Sequence, residues 1–120
     1  MRIAVPYENE EVFQHFGHTQ QFKFYNLMNG MIVSTMIMDT DGSGHGKLAA
    51  FLNSNKVDVL ICGGIGQGAR TALQQAGISL FPGVNGKADD AVLAYLKGNL
   101  IFNPLFTCDH HDHHGEEDCK

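Results

Sequence analysis

Apolar and polar positions fall into short blocks whose period switches between that of a strand and that of a helix. Residues 2–5 form a brief apolar run, closed by Pro6, that reads as a buried strand. The polar stretch 7–21 reads as a loop with Gln14-His15-Phe16-Gly17-His18-Thr19 at its heart. Residues 22–27 alternate as a half-buried strand should, and Asn29-Gly30 is a strong two-residue hairpin signal, which makes 31–38 the returning strand. After a glycine and aspartate loop over 39–46, residues 47–53 read as a helix burying Leu48, Phe51 and Leu52. Residues 57–62 form a nearly unbroken β-branched run, as in a central strand covered on both faces. Gly63, Gly64, Gly66 and Gly68 follow at once, and 69–76 reads as a helix with Leu73 inward. Residues 78–81 are a further strand closed by Pro82-Gly83. Residues 88–96 are a third helix with Val92, Leu93 and Leu96 inward, ended by Gly98 as a C′ glycine.

This order is a strand, a hairpin, then alternating helices and strands. Right-handed crossovers make the later strands parallel to the first, while the hairpin makes the second antiparallel. The expected architecture is α/β, a three-layer, five-stranded mixed sheet with helices on both faces, arranged like the ribonuclease H-like fold. That likeness carries no nuclease activity, because the first strand holds none of the carboxylates that would bind magnesium. Tracing strand directions brings the loops at 6–20, 39–46, 63–67 and 82–86 to one edge, with His15, His18, His45 and Cys62 in or beside them. Ligands of open α/β sheets bind at that carboxyl edge.

The chain has 120 residues and 43% hydrophobic content, enough for one domain with a real core. The expected division is a folded domain over 1–104 and a flexible tail over 105–120. The net charge of -5, with 8 Lys and Arg scattered along the chain, opposes a nucleic-acid partner. No basic segment leads into a long apolar run, so a cytoplasmic protein without a membrane anchor is expected. Three cysteines make no disulfide framework.

Two stretches carry candidate chemistry. Unpaired N–H groups in the turn from Gly63 to Gly68, with the positive end of the following helix, make a natural anion site. Gly64-x-Gly66-x-x-Ala69 also satisfies a dinucleotide pattern, but Val84 stands where the ribose-binding acid belongs, and no Gly-Lys-Ser/Thr follows for a phosphate loop. The bland reading of these glycines is a tight turn against the sheet. Imidazole and thiolate bind soft and borderline metals, so His15, His18, His45 and Cys62 beside that turn can make a metal or metal-cluster site, with Cys62 either ligand or core. In the tail, Cys108, His110, His111, His113, His114 and Cys119 crowd into a segment with no apolar residue to fold it. A divalent metal ion is expected there, without paired Cys-x-x-Cys spacing to fix which one; the alternative is a solvated acidic tail that picks up zinc or nickel incidentally.

The combination of Ile3-Ala-Val-Pro6, Gln14-His-Phe-Gly17 followed by Phe22, the cluster Gly63-Gly-Ile-Gly-x-Gly-Ala69, Leu73 and Gly77-Ile78 resembles the dinitrogenase iron-molybdenum cofactor biosynthesis family. The likeness covers about residues 1–98. It implies a ribonuclease H-like fold and a non-enzymatic carrier for an iron-sulfur or iron-molybdenum type cluster, exchanged with donor and acceptor proteins. It offers His15 as a cluster ligand, and the edge traced above places Gly17, His18, His45 and the glycines 63, 64, 66 and 68 around such a cargo. His18 stands where the family often has arginine, which exchanges a permanent cation for a further possible ligand. The runner-up function is a zinc or nickel buffer or chaperone acting through the tail.

Overall fold

A computed structural model describes residues 1–40 and 45–104, with the side chains of residues 45 and 46 outside the description. The chain runs β1 (Arg2–Glu8), β2 (Glu11–Val12), a 3₁₀ turn (Phe16–His18), β3 (Gln21–Met28), β4 (Met31–Asp39), α1 (His45–Ser54), β5 (Val59–Ile61), α2 (Gln67–Gln75), β6 (Ser79–Phe81) and α3 (Ala88–Lys97). The sheet order is β4-β3-β1-β5-β6, with β2 pairing off β1. β3 is antiparallel to both β1 and β4, whereas β5 and β6 continue parallel to β1.

Period-two alternation divides the core into two layers around the sheet. Ala4, Phe22, Phe24 and Leu60 pack with Leu48 and Leu52 of α1 and Leu73 of α2. Ile3, Val5, Tyr25 and Ile61 pack with Ala88, Ala91 and Val92 of α3. Both faces of β1 and β5 are therefore covered, which is why their sequences are apolar without interruption. The β3–β4 hairpin turns on Asn29 and Gly30 with φ of 54° and 77°, the left-handed pair that an Asn-Gly loop supplies. Gly98 closes α3 at φ 79°.

Several expectations are corrected. The sheet has six strands rather than five, because β2 forms inside the stretch read as loop. Pro6 does not stop β1. Its carbonyl accepts the Phe13 N–H at 2.8 Å, so its ring nitrogen faces the same side, beyond the last β1–β5 pair, Ala4 with Leu60. No ladder bond is lost by its missing donor. α2 begins at Gln67, so Gly68 lies in the helix and not in the turn. Leu93 is 45% exposed, whereas Val92 is buried and Leu96 packs against the core as expected, with Ala88 and Ala91 completing the inward face of α3.

Candidate functional site

The carboxyl edge is built by backbone bonds between the segment after β1 and the turn after β5. Gly64 N donates to Gln14 O at 2.8 Å and Phe16 N to Gly64 O at 3.0 Å, so His15 lies alongside Gly64 as a parallel bridge. Gly83 N then donates to Gly63 O and Val84 N to Cys62 O, which ties the loop after β6 to the same turn. Phe16 fixes the 3₁₀ turn by burying its ring 6.0 Å from that of Phe22, while the Thr19 hydroxyl donates to Phe16 O at 2.7 Å.

His15 caps this 3₁₀ turn with φ -122° and ψ 89°. Its ring meets Phe13 edge to face at 5.9 Å, and its Nδ1 is buried with no hydrogen-bond partner. An orphaned buried nitrogen carries a desolvation penalty, so packing and not hydrogen bonding orients this ring. Because Nδ1 is buried, a ligand from outside would have to meet the ring at Nε2.

Gly66 is the N-cap of α2 at φ -80°, and no side chain caps the helix. The amides of its opening turn therefore lack a capping acceptor and carry the positive end of the helix dipole. None of Gly63, Gly64, Gly66 or Gly68 adopts a positive φ, so the turn does not need them for a left-handed backbone. Gly63 has a different reason: a β-carbon there would meet the Gln14 carboxamide at 2.5 Å. Nothing lies within 4 Å of a β-carbon at Gly66 or Gly68, which keeps the approach to α2 open.

The predicted residues do not all converge. His15 lines an open groove of about 390 Å³ with Glu8, Glu11, Phe13 and Gln14. His18 is exposed and lines a different one, about 700 Å³, with Tyr7, Glu8, Phe13, Gln20 and Asp39. Phe13 and Glu8 border both. Gly17 sits between the two histidines in the 3₁₀ turn. His45 opens α1, its side chain outside the description. Cys108, His110, His111, His113, His114 and Cys119 lie outside the described residues. Cys62 is core: it is fully buried, and burial pushes its thiol up to about 12, so it presents no thiolate to a metal.

Among the described residues, no group of three or more His, Cys, Asp or Glu side chains is placed to hold a metal ion. What the described residues of the edge offer a ligand is the His15 imidazole and backbone donors, not a closed set of four metal ligands. No described helix is long and apolar enough to cross a membrane.

Gln14 opens the Gln14-His-Phe-Gly17 motif, but nothing in the sequence assigned it a role of its own. Its Nε2 donates to Val12 O at 3.0 Å and Val84 O at 3.1 Å, buckling the segment that carries His15 to the loop after β6. A polar residue inside a polar stretch leaves no periodic signal; its place directly before His15 was the available hint.

The chain is 29% identical over 105 residues to the uncharacterized protein MJ0580 of Methanocaldococcus jannaschii, a match spanning 83% of this chain and 89% of that one. The crystal structure of PH0822 superposes with a TM-score of 0.81 at 27% identity, covering 88% of this chain and 96% of that one. The apo form of the orange protein from Desulfovibrio gigas superposes with a TM-score of 0.74 at 26% identity, covering 86% and 92% of the two chains. Residues 1–98 match the family described as dinitrogenase iron-molybdenum cofactor, a span that takes in every element from β1 to α3 and the whole edge around His15. The chain belongs to that family.

Proposed function

We propose that this chain binds an iron-sulfur or iron-molybdenum type cluster at the carboxyl edge of a ribonuclease H-like domain and passes it between donor and acceptor proteins in the cytoplasm, as a carrier and not an enzyme. The observation that carries this reading is the His15 imidazole, held by packing with Nδ1 buried and unpartnered, beside Gly64 and the uncapped start of α2. Imidazole ligates iron and its neighbours in the first transition row, and backbone amides at a helix start donate to sulfides and anionic ligands. Glu8 and Glu11 border the same groove, so the anionic part of such a cargo belongs on the Gly64 side, toward α2. Sparse protein ligation suits a cargo that has to leave again.

The test is His15→Ala in the full chain, loaded with a reconstituted iron-sulfur cluster without oxygen. Affinity is expected to fall tenfold or more, the scale of losing one supporting group at a metal site. Stability should hold, because the change removes a buried orphan nitrogen and one edge contact to Phe13. Unchanged cluster affinity would overturn the reading.

A second reading, a divalent-metal buffer or chaperone, is favoured by one observation: the family match ends at residue 98, and four of the seven histidines and two of the three cysteines lie beyond it. Its mark is stoichiometric zinc uptake that is indifferent to His15→Ala and is lost below pH ~6 as imidazoles protonate.

A further inference from the structure

The two outer strands of the sheet are finished differently. β6 has three residues, and its Phe81 is overlaid by the rings of Tyr95 and Phe102. β4 runs for nine residues, and no described strand pairs with its outer side. Open edges of that length are commonly blunted with lysine or proline. Residues 31–38 contain neither, nor any other charged side chain. Ser34 and Asp39 accept hydrogen bonds from Asn26 and Gln21 of β3, so these polar groups are satisfied within the molecule.

Exposed apolar side chains gather at the same place. Met28, Met31 and Val33 are each more than half exposed, and Met36 and Ile37 nearly so. All five methionines of the chain lie on this hairpin or, as Met1, beside it. A contiguous apolar surface marks an interaction site, and the flexible thioether chain adapts to whatever packs on it.

The direction of the free backbone groups follows from the ladder. Leu27 N donates to Met1 O on the β1 side of β3, and Thr40 N donates to Gln20 O just beyond the pair of Gln21 with Asp39. Antiparallel pairs alternate between bonded and non-bonded, so Ser34, Met36 and Met38 bond to β3. Thr35 and Ile37, opposite Tyr25 and Lys23, therefore turn their N–H and C=O groups outward. The register slips only at Asn26 and Leu27, which leaves residues 34–39 as a regular segment.

Unpaired donors and acceptors call for an extended strand, and the absence of charge calls for a neutral, apolar one. Among the described strands, β4 itself has that chemistry and a free side. We propose that a second copy of this chain pairs there, β4 against β4 and antiparallel, about a two-fold axis at Met36. Thr35 of each copy then exchanges backbone bonds with Ile37 of the other, and the two Met36 side chains meet at the axis. The two Asp39 carboxylates stand six residues apart along the joined strands, about 20 Å, which exceeds the screening length of ~8 Å. Because the axis reverses strand direction, the carboxyl edges point opposite ways and both His15 grooves stay open. One strand edge with its side chains lies at the low end of the roughly 1,200–2,000 Å² that stable pairs bury, so the dimer is of micromolar strength.

Sedimentation velocity of the untagged full chain tests this, with reductant and chelator present to remove disulfide and metal bridges. Monomer should convert to dimer as the concentration rises to about 100 μM. Thr35→Pro removes an outward N–H and no bond to β3. Ile37→Lys sets a charge on the edge at a half-exposed position. Each change acts twice in a two-fold interface, so each should raise the dimer dissociation constant about tenfold or more, with far-ultraviolet dichroism unchanged. If proline unfolds the strand, Ile37→Lys alone decides. A chain that stays monomeric at about 100 μM overturns the proposal, as does a dimer whose dissociation constant ignores the folded variants.

Discussion

A β-carbon at Gly63 would lie 2.5 Å from Gln14 Oε1, inside any contact distance, while at Gly68 it would meet nothing within 4 Å. The two glycines therefore predict opposite results. Gly63→Ala forces the Gln14 carboxamide aside and breaks its bonds to Val12 O and Val84 O, at a cost of about 1–2 kcal/mol for two ordinary hydrogen bonds. Gly68→Ala adds a better helix former in open space and should raise stability by up to about 1 kcal/mol. Urea midpoints of the two variants check both signs; an unchanged Gly63→Ala would mean that the Gln14 buckle holds nothing. In the sequence these glycines were alike, because spacing reports that four glycines follow a strand and not what packs over each. The same limit applies to the histidines. The loop that carries both lies at the expected edge beside the turn after β5, but the side of Phe13 on which each of His15 and His18 falls is decided by the 3₁₀ turn, which no periodicity announces.

At the scale of elements, α3 is fastened to β3 through one carboxylate. Asp89, in the first turn of α3, accepts the Tyr25 hydroxyl at 2.6 Å and the Lys23 ammonium at 2.9 Å. The Tyr25 hydrogen bond, and after it the Lys23 hydrogen bond, hold Asp89 below the usual carboxylate range; burial, and then Asp89, push the Tyr25 phenol far above its own. Tyr25→Phe keeps the buried ring and loses the bond. A hydrogen bond to a charge is worth about 1.5–3 kcal/mol. Asp89 is 64% exposed, so solvent screening reduces the expected loss to about 1 kcal/mol at pH 7. Because the folded-state value of Asp89 is depressed, its contribution is complete above the unfolded carboxylate value of about 3.9 and is lost as the pH falls through the folded one. Parent and variant should accordingly converge in acid, and a gap that persists there would place the loss in packing instead. The element order, the hairpin and the three helices were readable from apolar period and turn residues. β2 was not: it is two residues long, and Glu11 pairs in it through backbone alone, so side-chain pattern had nothing to report.

For the whole molecule, the question is where folding ends. The parallel and antiparallel pairings and the two core layers follow from patterns complete by Gly98, which is why the architecture was legible there and residues 99–104 were not: Ile101 is 87% exposed, and the contacts of its neighbours follow no period. Those contacts nonetheless belong to the fold. Leu100 packs against the layer beneath α3, Phe102 covers Phe81, and Asn103 and Pro104 bond to Pro82 and Arg70. A chain ending after Pro104 retains all of them and should unfold cooperatively at the parent midpoint. A chain ending after Gly98 uncovers Phe81 and gives up the partly buried Leu100 and the 37%-exposed Phe102, which at about 1.5–3 kcal/mol for a fully buried large apolar side chain predicts a loss of about 2 kcal/mol. Thermal or urea unfolding of the two truncations distinguishes the boundaries. Equal stability would show that the contacts of residues 99–104 add nothing to the fold, whereas a molten protein ending at Pro104 would show that the domain boundary lies beyond that residue.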